Sequence, residues 1–294
     1  MSTTEEDSVP SGEHGTKCIN VEMYETGVGE PHVFNLAPNH YHRQEALERT
    51  GAVDITCYLE KVIHGTLSSD EYGSIIVMKW FFQPSLGRRI SKATIKLLFE
   101  VASNDSDTEL EVRDISFEGS YSLMPTTQEN VTTTGIDTTA GVQQVAQANV
   151  TAKWEKTTTS AKTDAITLNG GKRLVKNTPP KRIAKWELYE NESQPQGIPG
   201  MLKVAVLIAR DDEEKFQCRV DFDCKTDFRT KMEGVFEKIP KDDPIIFQPD
   251  SSDKGRRENK NATYDAKDLG NICLDGLSDL TYRTVITNGE KAWK

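Results

Sequence analysis

Two histidines, His40 and His42, stand one residue apart in the run APNHYHRQE. In an extended segment such an H-x-H pair lies on one side of the chain, and with a carboxylate or a third histidine it can bind zinc or iron. Glu45 and His32 are the candidates for the missing ligand. An exposed polar loop accounts for the same residues, so the sequence predicts neither a metal site nor a cofactor.

Closely spaced carboxylates form a second candidate group. Asp221, Asp223 and Asp227 resemble part of a calcium loop, but the glycine and the terminal glutamate of such a loop are missing at the right spacing. Alternation along residues 216–224 places Asp221 and Asp223 on the solvent face of a strand. Phosphate-binding, dinucleotide and GxSxG motifs are absent. The sequence leaves enzymatic activity uncertain and favours a protein that is not an enzyme.

The candidate ligand contacts are two aromatic and two imidazole side chains: Trp154, Trp186, His40 and His42. Tryptophan offers a large flat surface with one N–H donor, and histidine offers a donor and an acceptor near neutral pH. The competing interpretation places both tryptophans in a core or an aromatic girdle and both histidines on the surface.

The charge balance argues against a nucleic-acid partner. Of the 294 residues, 36 are lysine or arginine and 46 are aspartate or glutamate, so the formal net charge is −10. A protein that neutralises phosphates is usually basic on at least one face. The most basic stretch, residues 172–185, contains Pro179 and Pro180 and is predicted to be a solvated loop. Small-molecule, protein and lipid partners stay open, and the oligomeric state is not predicted.

The amino-terminal residues and the cysteines favour a cytoplasmic location. Residues 1–16 are acidic and rich in serine, threonine and glycine, without the apolar run of a secretory signal. The five cysteines are odd in number and show no repeated spacing, as expected for free thiols in a reducing compartment.

Alternating apolar and polar residues predict strands through most of the chain. Residues 90–101 alternate well, whereas residues 74–82 and 202–209 are apolar nearly throughout, which is typical of strands covered on both faces. The short links that follow the apolar runs predict two β-hairpins. The first joins residues 74–82 to 90–101, and the second joins residues 202–209 to 216–224.

Helical patterns are few. Residues 42–50 predict a short helix at most, and residues 228–239 predict one amphipathic helix ended by Pro240. Many short strands with almost no alternation of strand and helix predict an all-β fold, an antiparallel β-sandwich of two sheets with one or two short helices. We expect a disordered acidic tail over residues 1–30 and a single domain over residues 31–294.

The segment over residues 126–171 is predicted to be a long Thr/Gly-rich β-hairpin or loop inserted into the sandwich. Between Val131 and Ala152 the sole charged residue is Asp137, and residues 146–154 alternate small apolar with polar side chains up to Trp154. About ten residues of such alternation match a membrane-spanning β-strand. A Thr-rich hairpin at the edge of a sandwich explains the same sequence, because threonine favours strands without a membrane.

Several stretches resemble a family of filamentous-fungal proteins: the run from Ser74 to Glu100, SYSLMPTT at 120–127, WEKTTTS at 154–160, WELYENESQPQGIP at 186–199, the run from Val204 to Phe228, and DDPIIFQP at 242–249. The resemblance covers most of residues 70–290. The family is β-rich and uncharacterised and has no established activity, so the resemblance implies a fungal, single-domain, cytosolic protein and supplies no catalytic residues.

Three functions follow as hypotheses. The first is a non-enzymatic binding or interaction protein of the fungal cytosol, with ligand contacts from loops. The second is a membrane-active, pore-forming-like protein that inserts the hairpin of residues 126–170. The third is a cofactor-free cyclase or isomerase of fungal specialised metabolism, which needs a shaped apolar pocket and a few polar groups.

Overall fold

A computed structural model describes residues 32–51, 53–69, 71–102, 109–136, 154–226, 241–250 and 259–281. For residues 124–136, 154–164 and 265 the description is of the backbone alone. Within these ranges the chain forms thirteen β-strands and two short 3₁₀ helices.

The strands, in chain order, are β1 (Glu45–Arg49), β2 (Val53–Thr66), β3 (Tyr72–Pro84), β4 (Ile90–Val101), β5 (Leu110–Ile115), β6 (Gly119–Ile136), β7 (Trp154–Val175), β8 (Thr178–Tyr189), β9 (Met201–Arg210), β10 (Phe216–Thr226), β11 (Ile245–Phe247), β12 (Ala262–Ala266) and β13 (Asp279–Thr281). The 3₁₀ helices, Leu269–Asn271 and Leu274–Leu277, lie between β12 and β13.

The strands form two sheets, which confirms the predicted all-β sandwich. One sheet has six strands in the order β11-β10-β4-β8-β7-β6. The other follows the path β1-β2-β3-β9-β13, with β12 also pairing with β2 and β5 also pairing with β9. All the pairings are antiparallel except that of β12 with β2. No helix in the described ranges is long and apolar enough to cross a membrane.

The main hydrophobic core lies between the two sheets. Strand β4 shows why: its alternate residues Ala93, Ile95, Leu97 and Phe99 are fully buried, because every second side chain of a strand points to the same face. The largest partners in this core are Trp80, Phe82, Trp186, Phe216 and Phe247.

A second apolar cluster covers the outer face of the larger sheet. It consists of Ile63, Ile75, Val77, Ala205, Leu207, Leu269 and Leu274. The last two residues belong to the 3₁₀ helices, which therefore pack over β3 and β9. This explains why β3 and β9 are apolar nearly throughout, and the prediction that both strands are covered on both faces is confirmed.

The two predicted hairpins are wrong. Strand β3 pairs with β2 and β9, whereas β4 pairs with β10 and β8. Strand β9 likewise does not pair with β10, because the two belong to different sheets. The links of residues 85–89 and 211–215 cross from one sheet to the other. A short link allows a hairpin but does not require one. The strand after the link can instead join the facing sheet and pack on the apolar face of the strand before it.

The predicted short helix over residues 42–50 is also wrong. Glu45–Arg49 forms strand β1, which pairs with β2 in a register that places Leu47 opposite Cys57. Ala46 and Leu47 are both buried, and a bulge between Glu45 and Leu47 puts these neighbours inside. Tertiary burial therefore overrides the local helical pattern.

Residues 172–185 form a hairpin rather than the predicted solvated loop. They hold the end of β7, a two-residue turn at Lys176 and Asn177, and the start of β8. Both turn residues have positive φ angles, 50° and 62°, as in a type I′ turn, whose twist matches that of paired strands.

Three predictions lie outside the described residues: the tail over residues 1–30, the helix over residues 228–239, and all of the alternating segment 146–154 except Trp154.

Candidate functional site

The β6–β7 hairpin is longer than the sheet that carries it. Strand β8 pairs with β7 from Thr167 onward, whereas β6 and β7 continue to pair as far as Ile136 and Trp154. We call residues 126–136 and 154–164 the distal ribbon. Its eleven residue pairs extend roughly 35 Å at about 3.4 Å per residue. In the described part of the chain no third strand pairs with it.

A bulge marks the base of the distal ribbon. The register of β6 against β7 shifts between Leu123 and Thr126, and Pro125, which has no N–H to give to a ladder, falls inside this shift. On the body side of the bulge, Ile166 and Leu168 of β7 are buried in the sandwich. The bulge therefore separates a part of the hairpin that is packed in the sandwich from a part that pairs with no third strand among the described residues.

Close packing fixes the hairpin to the body. Gly170 of β7 lies against the chain just before β6, and a Cβ atom there would sit 2.1 Å from the carbonyl oxygen of Phe117. No larger residue fits at this contact without moving the backbone. The indole Nε1 of Trp186, opposite Gly170 in the register, donates a hydrogen bond of 2.9 Å to the Ser116 carbonyl oxygen.

The composition of the distal ribbon limits its stability in water. Five of the eleven residues on its β6 side and four of the eleven on its β7 side are threonine, which favours strands but offers little apolar area. An isolated two-stranded ribbon is marginally stable in water, and independent stability needs more strands or an apolar face packed on something.

The structure separates the two candidate tryptophans. Trp186 is fully buried between the sheets, as the core interpretation predicts, and is closed to a ligand. Trp154 is the first residue of β7 and pairs with Ile136 at the far end of the distal ribbon. Sixteen residues of extended chain divide it from Gly170, the partner of Trp186, which is roughly 50 Å.

The two candidate histidines differ in environment. His40 is half-buried, and its Nδ1 accepts a hydrogen bond of 3.4 Å from the Leu36 N–H. His42 is 1% exposed, so the expectation of a surface residue is wrong for it. Its backbone is left-handed, with φ of 50°, and its side chain packs against His64 of β2, 22 positions along the chain.

Hydrogen bonds fix the tautomers of this histidine pair. The Gln248 N–H donates to Nε2 of His42 at 3.2 Å, so this nitrogen carries no proton. Nε2 of His64, 3.1 Å away, therefore donates to it. Nδ1 of His64 accepts from the Ser74 hydroxyl at 2.7 Å. Nδ1 of His42 carries its proton toward the Tyr264 hydroxyl, 3.4 Å away.

Burial keeps both rings neutral. It lowers the pKa of His42 from 6.5 to about 4. It also lowers the pKa of His64 well below the ordinary value, with His42 and Arg210 acting in the same direction, because a second positive charge nearby disfavours protonation. The rings of Phe216, Phe247 and Tyr264 enclose the pair. These contacts make the His42–His64 pair a hydrogen-bonded polar group within the core. The sequence around either histidine does not indicate that the two are in contact.

A polar cleft of about 260 Å³ lies beside the start of β6, lined by Asp114, Ile115, Glu118, Tyr121, Ile272, Cys273, Leu274 and Asp275. Two of its carboxylates are already engaged. Glu118 pairs with Lys172 at 3.2 Å, and Asp275 accepts from the Phe117 N–H at 3.3 Å. Over the described ranges no three His, Cys, Asp or Glu residues are grouped to hold a metal ion.

Comparisons with known proteins give distant likenesses. No protein-family model matches the chain, and no curated protein matches it. Among solved structures it is similar to Clostridium perfringens delta-toxin, with a TM-score of 0.29 and 12% identity over 63% of this chain and 86% of that one. It is also similar to the Clostridium perfringens NetB toxin in the membrane inserted form, with a TM-score of 0.28 and 7% identity over 59% of this chain and 78% of that one. Both likenesses are too remote to bear on the activity of this chain.

Proposed function

We propose that this protein is membrane-active and that the β6–β7 hairpin is its inserting element. The observation that carries the proposal is the distal ribbon: eleven strand pairs that extend beyond the sheet, with no third strand on either edge among the described residues. A two-stranded ribbon with no third strand among the described residues gains stability from a further partner, and membranes and additional strands are two environments that supply one.

The sequence beyond the distal ribbon fits a bilayer. Residues 138–152 contain no charged side chain, and small apolar residues alternate with polar ones from Ala146 to Trp154. A membrane strand needs about nine to eleven residues with one apolar face, and an aromatic residue often lies at the interface. Trp154 occupies that place in the sequence.

The open edges of the ribbon support assembly of several copies. Strand β6 is the edge strand of its sheet, and no second strand from the described residues pairs with β7 along residues 154–166. In lipid every backbone polar group must be paired, so a single ribbon cannot span a bilayer alone. Copies placed head to tail can pair β6 of one with β7 of the next, which closes the ring when the rotation fits.

Vesicle leakage tests the proposal. We expect the full-length protein to float with liposomes and release a trapped dye. A variant in which Asn-Gly replaces residues 128–162 should stay folded, because the body lies on the other side of the bulge, and should release none. Dye release by the deletion variant, or a full-length protein that leaves vesicles of every composition intact, would contradict the proposal.

A matched pair of charge substitutions tests which face meets lipid. Ala148→Arg places a charge on the small apolar set and should reduce dye release at least tenfold, since a charge on a lipid-facing strand position costs about 2–4 kcal/mol near the bilayer centre. Asn149→Arg places the same charge on the polar set and should retain most of the release. Equal losses in both variants would count against a membrane strand.

The polar cleft favours a second candidate, a non-enzymatic binding protein with ligand contacts from loops. Its wall combines Tyr121 with the carboxylate of Asp114, and these polar groups suit a small polar ligand. Native mass spectrometry of the purified protein would show a retained ligand.

The cyclase hypothesis stays a prediction. The histidines with shifted pKa, His42 and His64, are packed in the core instead of lining this cleft.

A further inference from the structure

The link between β3 and β4 carries an apolar side chain that the fold leaves in water. Leu86 is 104% exposed, against 59% for Leu36, the next most exposed large apolar residue among those described. The Arg88 N–H donates to the Ser85 carbonyl oxygen at 2.9 Å, and Gly87 has φ of +76°. These features define a type II turn, with glycine at the position that needs positive φ. The turn holds Leu86 at its tip.

The register places this turn at the end of the sandwich from which the distal ribbon projects. Strand β4 begins immediately after the turn, and its Lys92 pairs with Tyr189 of β8. Tyr189 pairs in turn with Thr167 of β7, the first residue of β7 that pairs with β8. The turn and the ribbon are therefore about two strand spacings apart, roughly 10 Å.

Three basic residues lie near the exposed leucine in the sequence or in the sheet. Arg88 and Arg89 follow it in sequence. Arg89 Nε lies 3.2 Å from a carboxylate oxygen of Glu190, with the arginine side chain 42% exposed. Lys225 is exposed at the same end of the neighbouring strand β10, where its carbonyl oxygen accepts from the Ser91 hydroxyl. Of these basic residues, Lys225 has the exposed side chain, whereas Arg89 is paired with Glu190 and Nη1 of Arg88 is buried.

We propose that residues 85–89, the Leu86 turn, dock the body on the surface of a bilayer that contains anionic lipid. Leu86 enters the boundary between headgroups and acyl chains, while the exposed Lys225 faces the lipid phosphates. This inference rests on the proposed function, because docking at this end aims the distal ribbon at the bilayer. One apolar side chain with basic neighbours gives weak, reversible membrane binding, and that suits a step before insertion.

The fold supplies a matched control at the opposite end of the same sheet. Leu174 is 36% exposed and lies between Arg173 and Lys176, close to the β7–β8 turn. That turn closes the end of β7 farthest from the ribbon. Leu174 therefore has the same chemistry as Leu86 but faces away from the proposed membrane.

The test is sedimentation with vesicles of phosphatidylcholine and phosphatidylserine at 7:3, carried out on the full-length protein and on the ribbon-deletion variant. We expect Leu86→Ser to weaken binding about tenfold in both forms, the loss of one inserted leucine. Leu174→Ser should leave binding unchanged, and Lys225→Gln should weaken binding to these vesicles more than to pure phosphatidylcholine. Thermal melts establish that each variant is folded.

The outcomes separate the two proposals. Binding of Leu86→Ser equal to that of the parent, or equal losses in Leu86→Ser and Leu174→Ser, would overturn the docking turn and leave the inserting hairpin untouched. A deletion variant that binds through Leu86 but still releases dye would overturn the hairpin and leave the docking turn standing.

Discussion

The sandwich body and the distal ribbon share one kind of secondary structure but differ in what holds it together. In the body, strand β4 has β10 on one side and β8 on the other and buries alternate side chains between two sheets. In the distal ribbon, each described strand has one partner. The comparison shows that burial between the sheets stabilises the body, whereas the two strands of the ribbon are joined to each other by their hydrogen-bond ladder.

Truncation of a core side chain should give the largest difference in unfolding free energy between the body and the distal ribbon. Trp186→Ala should lower the free energy of unfolding by about 3–5 kcal/mol, because it leaves a cavity between the sheets and removes the bond from Nε1 to the Ser116 carbonyl oxygen. Thr158→Ala, in the distal ribbon, should change it by less than about 0.5 kcal/mol. Urea unfolding followed by circular dichroism measures both, and similar values for the two variants would break the comparison.

Acid should weaken the body through its histidine pair. His42 is neutral in the folded state down to a pKa of about 4, whereas in the unfolded chain it takes up a proton near pH 6.5. The unfolded state therefore binds more protons between pH 6.5 and 4, and stability falls as the pH falls through this window. His42 alone accounts for about 3 kcal/mol, and His64 acts in the same direction.

Two glutamine variants isolate this effect. His42→Gln should flatten the dependence of unfolding free energy on pH between 6.5 and 4, and His40→Gln, two residues away and half-buried, should leave it as in the parent. The distal ribbon contains no histidine, so it should not contribute. The same pH dependence in the His42→Gln variant and the parent would contradict the assignment.

The smallest expected effect concerns the turn of the β7–β8 hairpin. Lys176 and Asn177 both adopt positive φ, and Asn-Gly is the pair that such a turn prefers. The double variant Lys176→Asn/Asn177→Gly should stabilise the body by about 0.5–1 kcal/mol, because it relieves part of the roughly 1–2 kcal/mol that a left-handed conformation costs a residue with a Cβ atom, and should raise Tm by about 2 °C. A lower Tm would show that the turn is held by contacts other than its own backbone preference.

The sequence predicted individual strands better than their partners. Alternation in β4, β8 and β10 follows directly from one buried face, so it can be read locally. Pairing is not local: Trp80 lies opposite Leu202, and Ile95 lies opposite Trp186. The short links suggested hairpins because the next strand in sequence is the simplest partner. Nothing in the sequence of those links indicates that the chain crosses to the other sheet.

The candidate site shows the same limit. The Thr-rich hairpin could be recognised from composition, because its segment differs from everything around it. The burial of His42 could not, since it depends on Gln248 and His64, which only the folded chain brings together. The full exposure of Leu86 could not be predicted either, because a single apolar residue between two predicted strands is typical of an ordinary connecting loop.

The sheet-crossing links have a consequence for how the chain folds. Strands β1 to β3 and β6 to β8 are consecutive neighbours, but β4, β9 and β10 find their partners far along the chain. Such long-range pairing makes folding slow, because loop-closure entropy is lost before the contacts form. During synthesis the apolar strands β3 and β4 must wait for β9 and β10 to leave the ribosome. Over that interval the nascent chain exposes its most apolar strands, and exposed apolar strands with unpaired edges are prone to aggregate.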